Sequence, residues 1–291
     1  MNLWKLIFSL AKYDESILHQ LCGIKIFNKK VHQYGIINKI DDERIYISFE
    51  NRPNCKYKYN EFSVLFDNSF IDQLPISLKE KLKYKNLHLK DRFLDIIFKI
   101  HDGINLNGDD INFILERNAY ELLGKYYEKN IGDDKWHIVT AAKYYRKAGL
   151  VDKGLALTNI ENIQQDRFNQ HKDFKKFMAA VLTAHGACLR DDGNLPKAEK
   201  CAWDALKYDE SFYPYNLLGA IYIDKGKIKQ GDDLFQQAEA LGSGKKNEIL
   251  NSQKSFIISV VNKSPIEAKT EIARYFYYKD NKRYGFLKKY L

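Results

Sequence analysis

The sequence predicts an α+β fold that is mainly α: a solenoid of α-hairpins preceded by a small antiparallel β-barrel. Small residues recur at a constant offset in the second half of the chain, and a short N-terminal region alternates apolar and polar residues with the period of strands. The predicted domains are an N-terminal helix plus barrel over residues 1–76, a basic connecting helix and loop over 77–110, and helical repeats with C-terminal capping helices over 111–291.

The first segment reads as an amphipathic helix. Trp4, Ile7 and Leu10 recur at helical spacing, and Lys5 interrupts the apolar run. The run is too short to span a bilayer, and it has neither a basic leader nor a convincing cleavage site. We therefore favour a helix that packs on the body of the protein over a secretory signal.

Residues 23–59 change to the two-residue period of strands with one buried face. Ile45, Ile47 and Phe49 alternate with polar or amphipathic neighbours, after an earlier strand over 35–40. This region resembles the small SH3-like or Tudor-like barrels of bacterial multidomain proteins. Such barrels bind peptides, nucleic acid or a neighbouring domain. Four side chains are candidates for an aromatic surface, or are packed rings with exposed hydroxyls: Tyr34, Tyr46, Tyr57 and Tyr59.

Residues 77–101 form a basic segment with seven positive and three negative residues and an apolar stripe at helical spacing. A charge run of this kind is typical of a solvated helix face, and contact with nucleic acid is the alternative. A further helix is expected over 150–165, although the sequence does not show with which helix it pairs.

The clearest pattern is a repeat between residues 181 and 242. Gly186-Ala187 recurs as Gly219-Ala220, and the other small residues recur at the same offset of 33: Gly193 as Gly226, Ala198 as Gly231, and Ala205 as Ala238. Small residues allow two helices to cross closely, and a glycine at the turn ends the first helix of each pair. The pattern predicts stacked helical hairpins.

This arrangement resembles the tetratricopeptide repeat. The second copy fits the family through Tyr215, Gly219, Tyr222, Gly226 and Ala238, whereas the first copy has leucines at the aromatic positions. A third unit lies upstream, and its turn is longer by five residues, which resembles the Sel1-like variant of the repeat. The positions that match the repeat are Leu123, Gly124 and Tyr127 in the first helix and Ala141 and Ala148 in the second.

Composition restricts the function further. Four scattered cysteines indicate reduced thiols and a cytoplasmic protein. The histidines and cysteines show no metal-ligand spacing, and no phosphate-binding loop or activated nucleophile is recognisable. We therefore expect no catalytic residues, no metal and no cofactor, and we expect the protein not to be an enzyme. No membrane association is expected, and the oligomeric state stays open.

The resemblance implies a scaffold or adaptor that binds a partner protein in the concave groove of the solenoid. Aligned to the family, the groove-facing positions of the two copies are Thr183, Ala187, Arg190, Asp191, Asn216, Ala220, Ile223 and Asp224. This set lacks the lysines and paired asparagines by which chaperone-binding members hold a C-terminal carboxylate. The partner is therefore expected to be recognised in another way.

The alternative is a nucleic-acid-binding accessory protein. Residues 241–291 contain eleven basic and four acidic residues, and their last part interleaves cations with aromatic residues. This combination suits phosphate neutralisation and base stacking, with the barrel as a second contact. The candidate contacts are Lys279, Lys282, Arg283, Tyr284, Lys288 and Lys289.

Overall fold

The computed structural model describes residues 3–14, 16–41, 44–67, 69–163 and 173–291. It confirms the predicted class, an α+β fold that is mainly α. Contacts within the chain divide it into two compact units, Met1–Leu150 (unit 1) and Val151–Leu291 (unit 2). The sheet, the basic segment and the upstream hairpin lie in unit 1, and the two repeat copies lie in unit 2.

Unit 1 contains a four-stranded sheet surrounded by helices. In chain order its elements are α1 (Leu3–Ala11), α2 (Ser16–His19), β1 (Lys25–Asn28), β2 (Gln33–Ile40), β3 (Arg44–Phe49), β4 (Arg52–Lys58), α3 (Tyr59–Leu65), a 3-10 helix (Ser69–Gln73), α4 (Ile76–Leu89), α5 (Arg92–His101), α6 (Gly108–Glu116), α7 (Tyr120–Lys129) and α8 (His137–Lys147).

The sheet is an antiparallel meander in the order β1-β2-β3-β4, and it does not close into the predicted barrel. The outer edge of β1 pairs with the chain that follows α3 instead of with another strand. The Lys29 amide donates to the Leu65 carbonyl, and the Asp67 amide donates to the Phe27 carbonyl. The Asp67 carboxylate also accepts a hydrogen bond from the Phe27 amide. Because these groups occupy the outer hydrogen-bonding edge of β1, β4 does not pair with β1 and the sheet stays open.

Helix α1 packs on the body, as the sequence predicts. Trp4 is fully buried, with its ring stacked on Phe70 at a centroid distance of 3.8 Å and edge-on to Phe62 at 4.4 Å. The indole nitrogen donates to the Asp67 carbonyl at 2.9 Å, which satisfies the buried polar end of the ring. The helix thereby belongs to the core of unit 1.

The basic segment is two helices instead of one. Helix α4 ends at Lys90, which adopts a positive φ of 50°, and Asp91 caps the start of α5. The Asp91 side chain accepts hydrogen bonds from the amides of Phe93 and Leu94, both at 3.1 Å. The apolar stripe continues across this break, and the sequence analysis therefore missed it.

Unit 2 contains three antiparallel helical hairpins after a first short helix. Its elements are α9 (Val151–Thr158), a 3-10 helix (Ile160–Asn162), α10 (Phe174–Asp191), α11 (Leu195–Tyr208), α12 (Phe212–Asp224), α13 (Ile228–Leu241), a 3-10 helix (Ser243–Lys245), α14 (Lys246–Lys263), α15 (Ile266–Lys279) and a 3-10 helix (Gly285–Tyr290). Helix α9 packs against α10, while residues 164 and 165 of the helix expected there lie outside the described residues.

The predicted 33-residue register is reproduced in the hairpin turns. Gly193 and Gly226 both adopt a positive φ, of 85° and 75°. The amide after each glycine donates to a carbonyl of the preceding helix: Asn194 to Leu189 at 2.8 Å and Lys227 to Tyr222 at 2.9 Å. The two turns therefore use the same helix-ending geometry.

The small residues lie where paired helices cross. A Cβ atom on Gly186 would lie 3.0 Å from the Ala198 carbonyl oxygen, and one on Gly219 would lie 2.5 Å from the Phe235 ring. In the upstream hairpin, a Cβ on Gly124 would lie 2.5 Å from the Tyr145 ring. The hairpins are thus compatible with helical repeats, and their close crossings require the small residues that reveal the period.

Candidate functional site

The predicted groove-facing residues lie on α10 and α12, the first helices of the first two hairpins. Three of them are partly exposed, Thr183, Asp191 and Asp224. The other five are buried: Ala187, Arg190, Asn216, Ala220 and Ile223. Most of the set is therefore part of the packing of unit 2, where the repeat pattern had predicted an open groove.

Helix α12 explains this burial. Its residues are apolar around the whole circumference, which is typical of a helix surrounded by others. Helices α10 and α13 pack against it, and α14 covers the side that an open groove would leave to solvent. Because α14 does not carry the repeat signature, no pattern in the sequence predicted this contact.

A cluster of charged groups lies where α10 and α12 end. Arg190 donates through Nε to Asp224 Oδ2 at 2.5 Å, and its Nη1 lies 3.8 Å from Asp191 Oδ1. Lys263 of α14 donates to Asp191 at 3.4 Å. The guanidinium carbon of Arg190 is 5.4 Å from the centre of the Phe256 ring, also on α14. The cluster joins the first helices of all three hairpins.

Two buried donors in this region lack an acceptor. Arg190 Nη2 and Asn216 Nδ2 have no hydrogen-bond partner among the described residues. The Asn216 oxygen accepts from Gln253 Nε2 at 3.0 Å, and the same Nε2 donates to the Phe235 carbonyl at 3.0 Å. A buried donor without an acceptor lowers the stability of the folded state by about 1–3 kcal/mol, so a hydrogen-bond acceptor at either nitrogen would stabilise the fold.

The C-terminal candidates belong to the packing of the third hairpin. Tyr284 is buried beside Phe276, and burial raises the pKa of its hydroxyl. Lys279 pairs with Asp232 of α13. Arg283 donates from Nη2 to Glu239 at 2.7 Å and also to the Gln253 side chain.

Four of the six predicted nucleic-acid contacts are exposed: Lys279, Lys282, Lys288 and Lys289. Lys279 is already paired with Asp232, which leaves three exposed lysines of this set outside an ion pair within the described residues. The ring predicted to stack on a base lies in the core, and two of the cations are already neutralised. Lys279 and Arg283 of the tail pair with acidic side chains of α13, and Tyr284 packs in the apolar core of the third hairpin.

The four tyrosines of the sheet region divide into two pairs. Tyr57 packs inward, 5.1 Å from the Phe66 ring, and Tyr59 stacks on Phe8 at 4.2 Å. Tyr34 and Tyr46 lie on the outward face of the sheet and are half-buried. Lys25 Nζ lies 4.7 Å from the centre of the Tyr34 ring. A hydrogen bond to Asp41 is the main cause that raises the pKa of the Tyr46 hydroxyl.

Two acidic groups of unit 1 were not identified from the sequence. Asp72 is partly buried, which opposes its ionisation, yet hydrogen bonds from Lys125 and His101 lower its pKa to about 2. Glu121, by contrast, is almost fully buried, and this burial raises its pKa to about 7. No spacing rule singles out these two residues, because their partners and their burial arise from the tertiary fold.

Other features narrow the possible chemistry of the described residues. None of the four cysteines forms a disulfide bond. Within the described part of the chain, no group of three or more histidine, cysteine or acidic side chains is arranged to hold a metal ion. The same residues include no helix whose length and apolar character would suffice to cross a bilayer. The sequence matches no protein-family model and no curated protein.

Proposed function

We propose that this chain is a protein-interaction adaptor and that the three hairpins of unit 2 bind an extended segment of a partner protein. The docking region is the charged cluster at the ends of α10 and α12. The partial exposure of Asp191 and Asp224 carries this proposal, since the buried Arg190 guanidinium lies against both carboxylates at the ends of α10 and α12.

The partner segment is basic and extended. Residues 181–240 contain ten acidic and seven basic residues, and Asp191 and Asp224 are partly exposed at the docking region. The cations of an extended chain approach the two partly exposed aspartates. Thr183, about two turns earlier on α10, is also partly exposed.

The proposal assigns the helical units to a tetratricopeptide-like array, with the Sel1-like long turn in the upstream hairpin. The repeated turn geometry and the close glycine crossings support this assignment. The small sheet region is the counterpart of an SH3-like or Tudor-like module, although open on one side. Four thiols outside disulfides support a cytoplasmic protein, and the likeness of the sheet region to barrels of bacterial multidomain proteins supports a bacterial type.

The test is affinity capture from extracts of the native host at moderate salt, with nuclease present, using matched charge reversals. Asp191→Lys changes the docking region, whereas Asp233→Lys makes the same change at an exposed position of α13. We expect a discrete protein in stoichiometric amount with the wild-type chain and with Asp233→Lys. Asp191→Lys should weaken its binding by about tenfold or more, because like charges brought together at an interface cost several kcal/mol.

Circular dichroism of both variants verifies that the helices are retained. Recovery of no discrete protein once nuclease is present would contradict the adaptor function, because every partner would then be held through nucleic acid. Equal recovery with both variants would contradict the docking region.

A further inference from the structure

The outward face of the sheet in unit 1 is strongly basic. The four described strands contain Lys25, Lys39, Arg44, Arg52, Lys56 and Lys58 and no acidic residue. Register partners in an antiparallel sheet project to the same face. The pairs Tyr46 with Lys56, Arg44 with Lys58, and Ile36 with Ser48 therefore share one face, opposite the buried Ile45, Ile47 and Phe49.

Tyr46 lies at the centre of this face between two ammonium groups. Lys39 Nζ on β2 is 5.6 Å from the centre of the Tyr46 ring, and Lys56 Nζ on β4 is 5.5 Å from it. Lys39, Arg44 and Lys56 are exposed, and no ion pair within the described residues includes any of them. The arrangement combines an aromatic ring with cations that are free to bind an anion.

Hydrogen-bonding groups and one apolar side chain lie beside this ring. Asn38 Nδ2 donates to Ser48 Oγ at 2.5 Å and lies 3.5 Å from Asn54 Oδ1. Both asparagines are exposed, so their remaining donors and acceptors face solvent. Ile36 is exposed to 47% on the same face. Amides beside an aromatic ring are suited to the edges of an unpaired base.

We infer that this face binds single-stranded nucleic acid, with Tyr46 stacking on a base while Lys39, Arg44 and Lys56 neutralise phosphates. Stacking and phosphate neutralisation are the two contributions that single-strand-binding sheets combine. An incoming base displaces one of the two ammonium groups from the ring, and that ammonium then lies beside the neighbouring phosphate.

Two other kinds of ligand, a membrane surface and an acidic peptide, fit this face less well. Among the described strand residues, Ile36 is the one exposed aliphatic side chain, which is too little apolar surface to insert into a membrane. An acidic peptide would use the cations but would leave the ring and the amides without partners.

The experiment measures the fluorescence anisotropy of a labelled oligothymidylate of about ten nucleotides, a length within the usual site size of such a sheet. With the full chain at about 50 mM salt we expect saturable binding that weakens steeply towards about 200 mM. Lys39→Ala combined with Lys56→Ala should lower the salt slope by about 0.7 for each lysine removed. Tyr46→Leu should weaken binding roughly tenfold with little change in that slope.

Matched controls separate the sheet from the tail. Lys288→Ala combined with Lys289→Ala removes two exposed lysines of the tail, and Tyr46→Phe keeps the ring while removing the hydroxyl that bonds to Asp41. Both should bind like the wild type. Because all substituted side chains are exposed or half-buried, thermal melting should show that the variants remain folded.

Three results would overturn the inference. They are no binding at low salt, a loss of binding in the tail variant that equals the loss in the sheet variant, and competition by polyglutamate as strong as that by the oligonucleotide. Polyglutamate has no base to stack on Tyr46, and equal competition would mean that charge alone is recognised. The adaptor test uses residues of unit 2, so the two proposals can fail separately.

Discussion

The C-terminal tail, residues 279–290, and the outward face of the sheet both place tyrosines among lysines and arginines. In the tail, Lys279 and Arg283 pair with Asp232 and Glu239, and Tyr284 is buried. On the sheet, Lys39 and Lys56 flank Tyr46 without a carboxylate partner among the described residues. The difference comes from α13, which brings two acidic side chains to the tail. The same local composition therefore contributes to packing in one region and to a binding surface in the other.

The comparison is tested most strongly by removing the two tyrosine rings. Tyr284→Ala should destabilise unit 2 by about 3–5 kcal/mol, because it leaves a cavity in the core of the third hairpin. Tyr46→Ala should cost about 1 kcal/mol or less, because that ring packs on one side only. Urea unfolding followed by circular dichroism measures both. Equal losses would mean that Tyr46 belongs to the structure as much as Tyr284 does.

A second contrast, within unit 1, is between Glu121, a buried acid, and Asp72, a partly exposed acid that pairs with Lys125 and His101. The pKa of Glu121 is about 7 in the folded protein and near 4.5 when the chain is unfolded. Below about pH 4.5 the residue is protonated in both states and has no effect. As the pH rises from about 4.5 to 7, only the unfolded state ionises, so the folded state loses stability; above 7 the loss is constant.

Glu121→Gln should therefore stabilise unit 1 by about 3 kcal/mol at pH 8, since each pKa unit corresponds to about 1.4 kcal/mol. The gain should vanish near pH 4. Chemical unfolding followed by the fluorescence of Trp4 and Trp136 measures it at both pH values. Asp72 does not interfere, because its pKa is lowered to about 2 and its contribution is complete above about pH 4. A gain that is independent of pH would contradict a buried, unpaired carboxyl at this position.

The next contrast compares how much stability one arginine contributes in each of the two basic regions. Arg283→Ala removes the cation that neutralises Glu239 and also satisfies Gln253, so we expect a loss of about 1–3 kcal/mol in unit 2. Arg44→Ala should change stability by no more than about 0.5 kcal/mol, because that side chain is exposed and unpaired among the described residues. The unfolding midpoints in urea distinguish these outcomes. A large loss for Arg44→Ala would reveal a structural role for the sheet cations.

The features that the sequence predicts well depend on steric contacts between elements that are neighbours in the chain. Gly186, Gly219 and Gly231 are small because helix backbones cross there, and that requirement fixed the hairpin register without knowledge of any distant contact. The strand alternation of β3 follows in the same way from one buried face. Both are properties of neighbouring elements in the chain.

Most of the failures of prediction involve contacts between distant residues; the break between α4 and α5 at Lys90 is a local exception. Asp67 satisfies the edge of β1 from about forty positions away, so the barrel does not close. Gln253 and Phe256 of α14 cover Asn216 and Arg190, which the repeat pattern had placed in a groove. Asp232 and Glu239 of α13 pair with Lys279 and Arg283 of the tail, which is again a contact between residues far apart in the chain. None of these partners shares a periodic pattern with the residue that it contacts.

The smallest predicted effect compares the two turns whose geometry is repeated. Gly193→Ala and Gly226→Ala should each cost about 1 kcal/mol, because an alanine is strained at a positive φ. Neither glycine has an atom within 4 Å of an added Cβ, so packing contributes nothing and the two costs should agree within about 0.5 kcal/mol. Urea unfolding of the two single variants measures this. Unequal costs would show that the copies share a sequence register but not a turn, and only equal costs are consistent with one repeated hairpin.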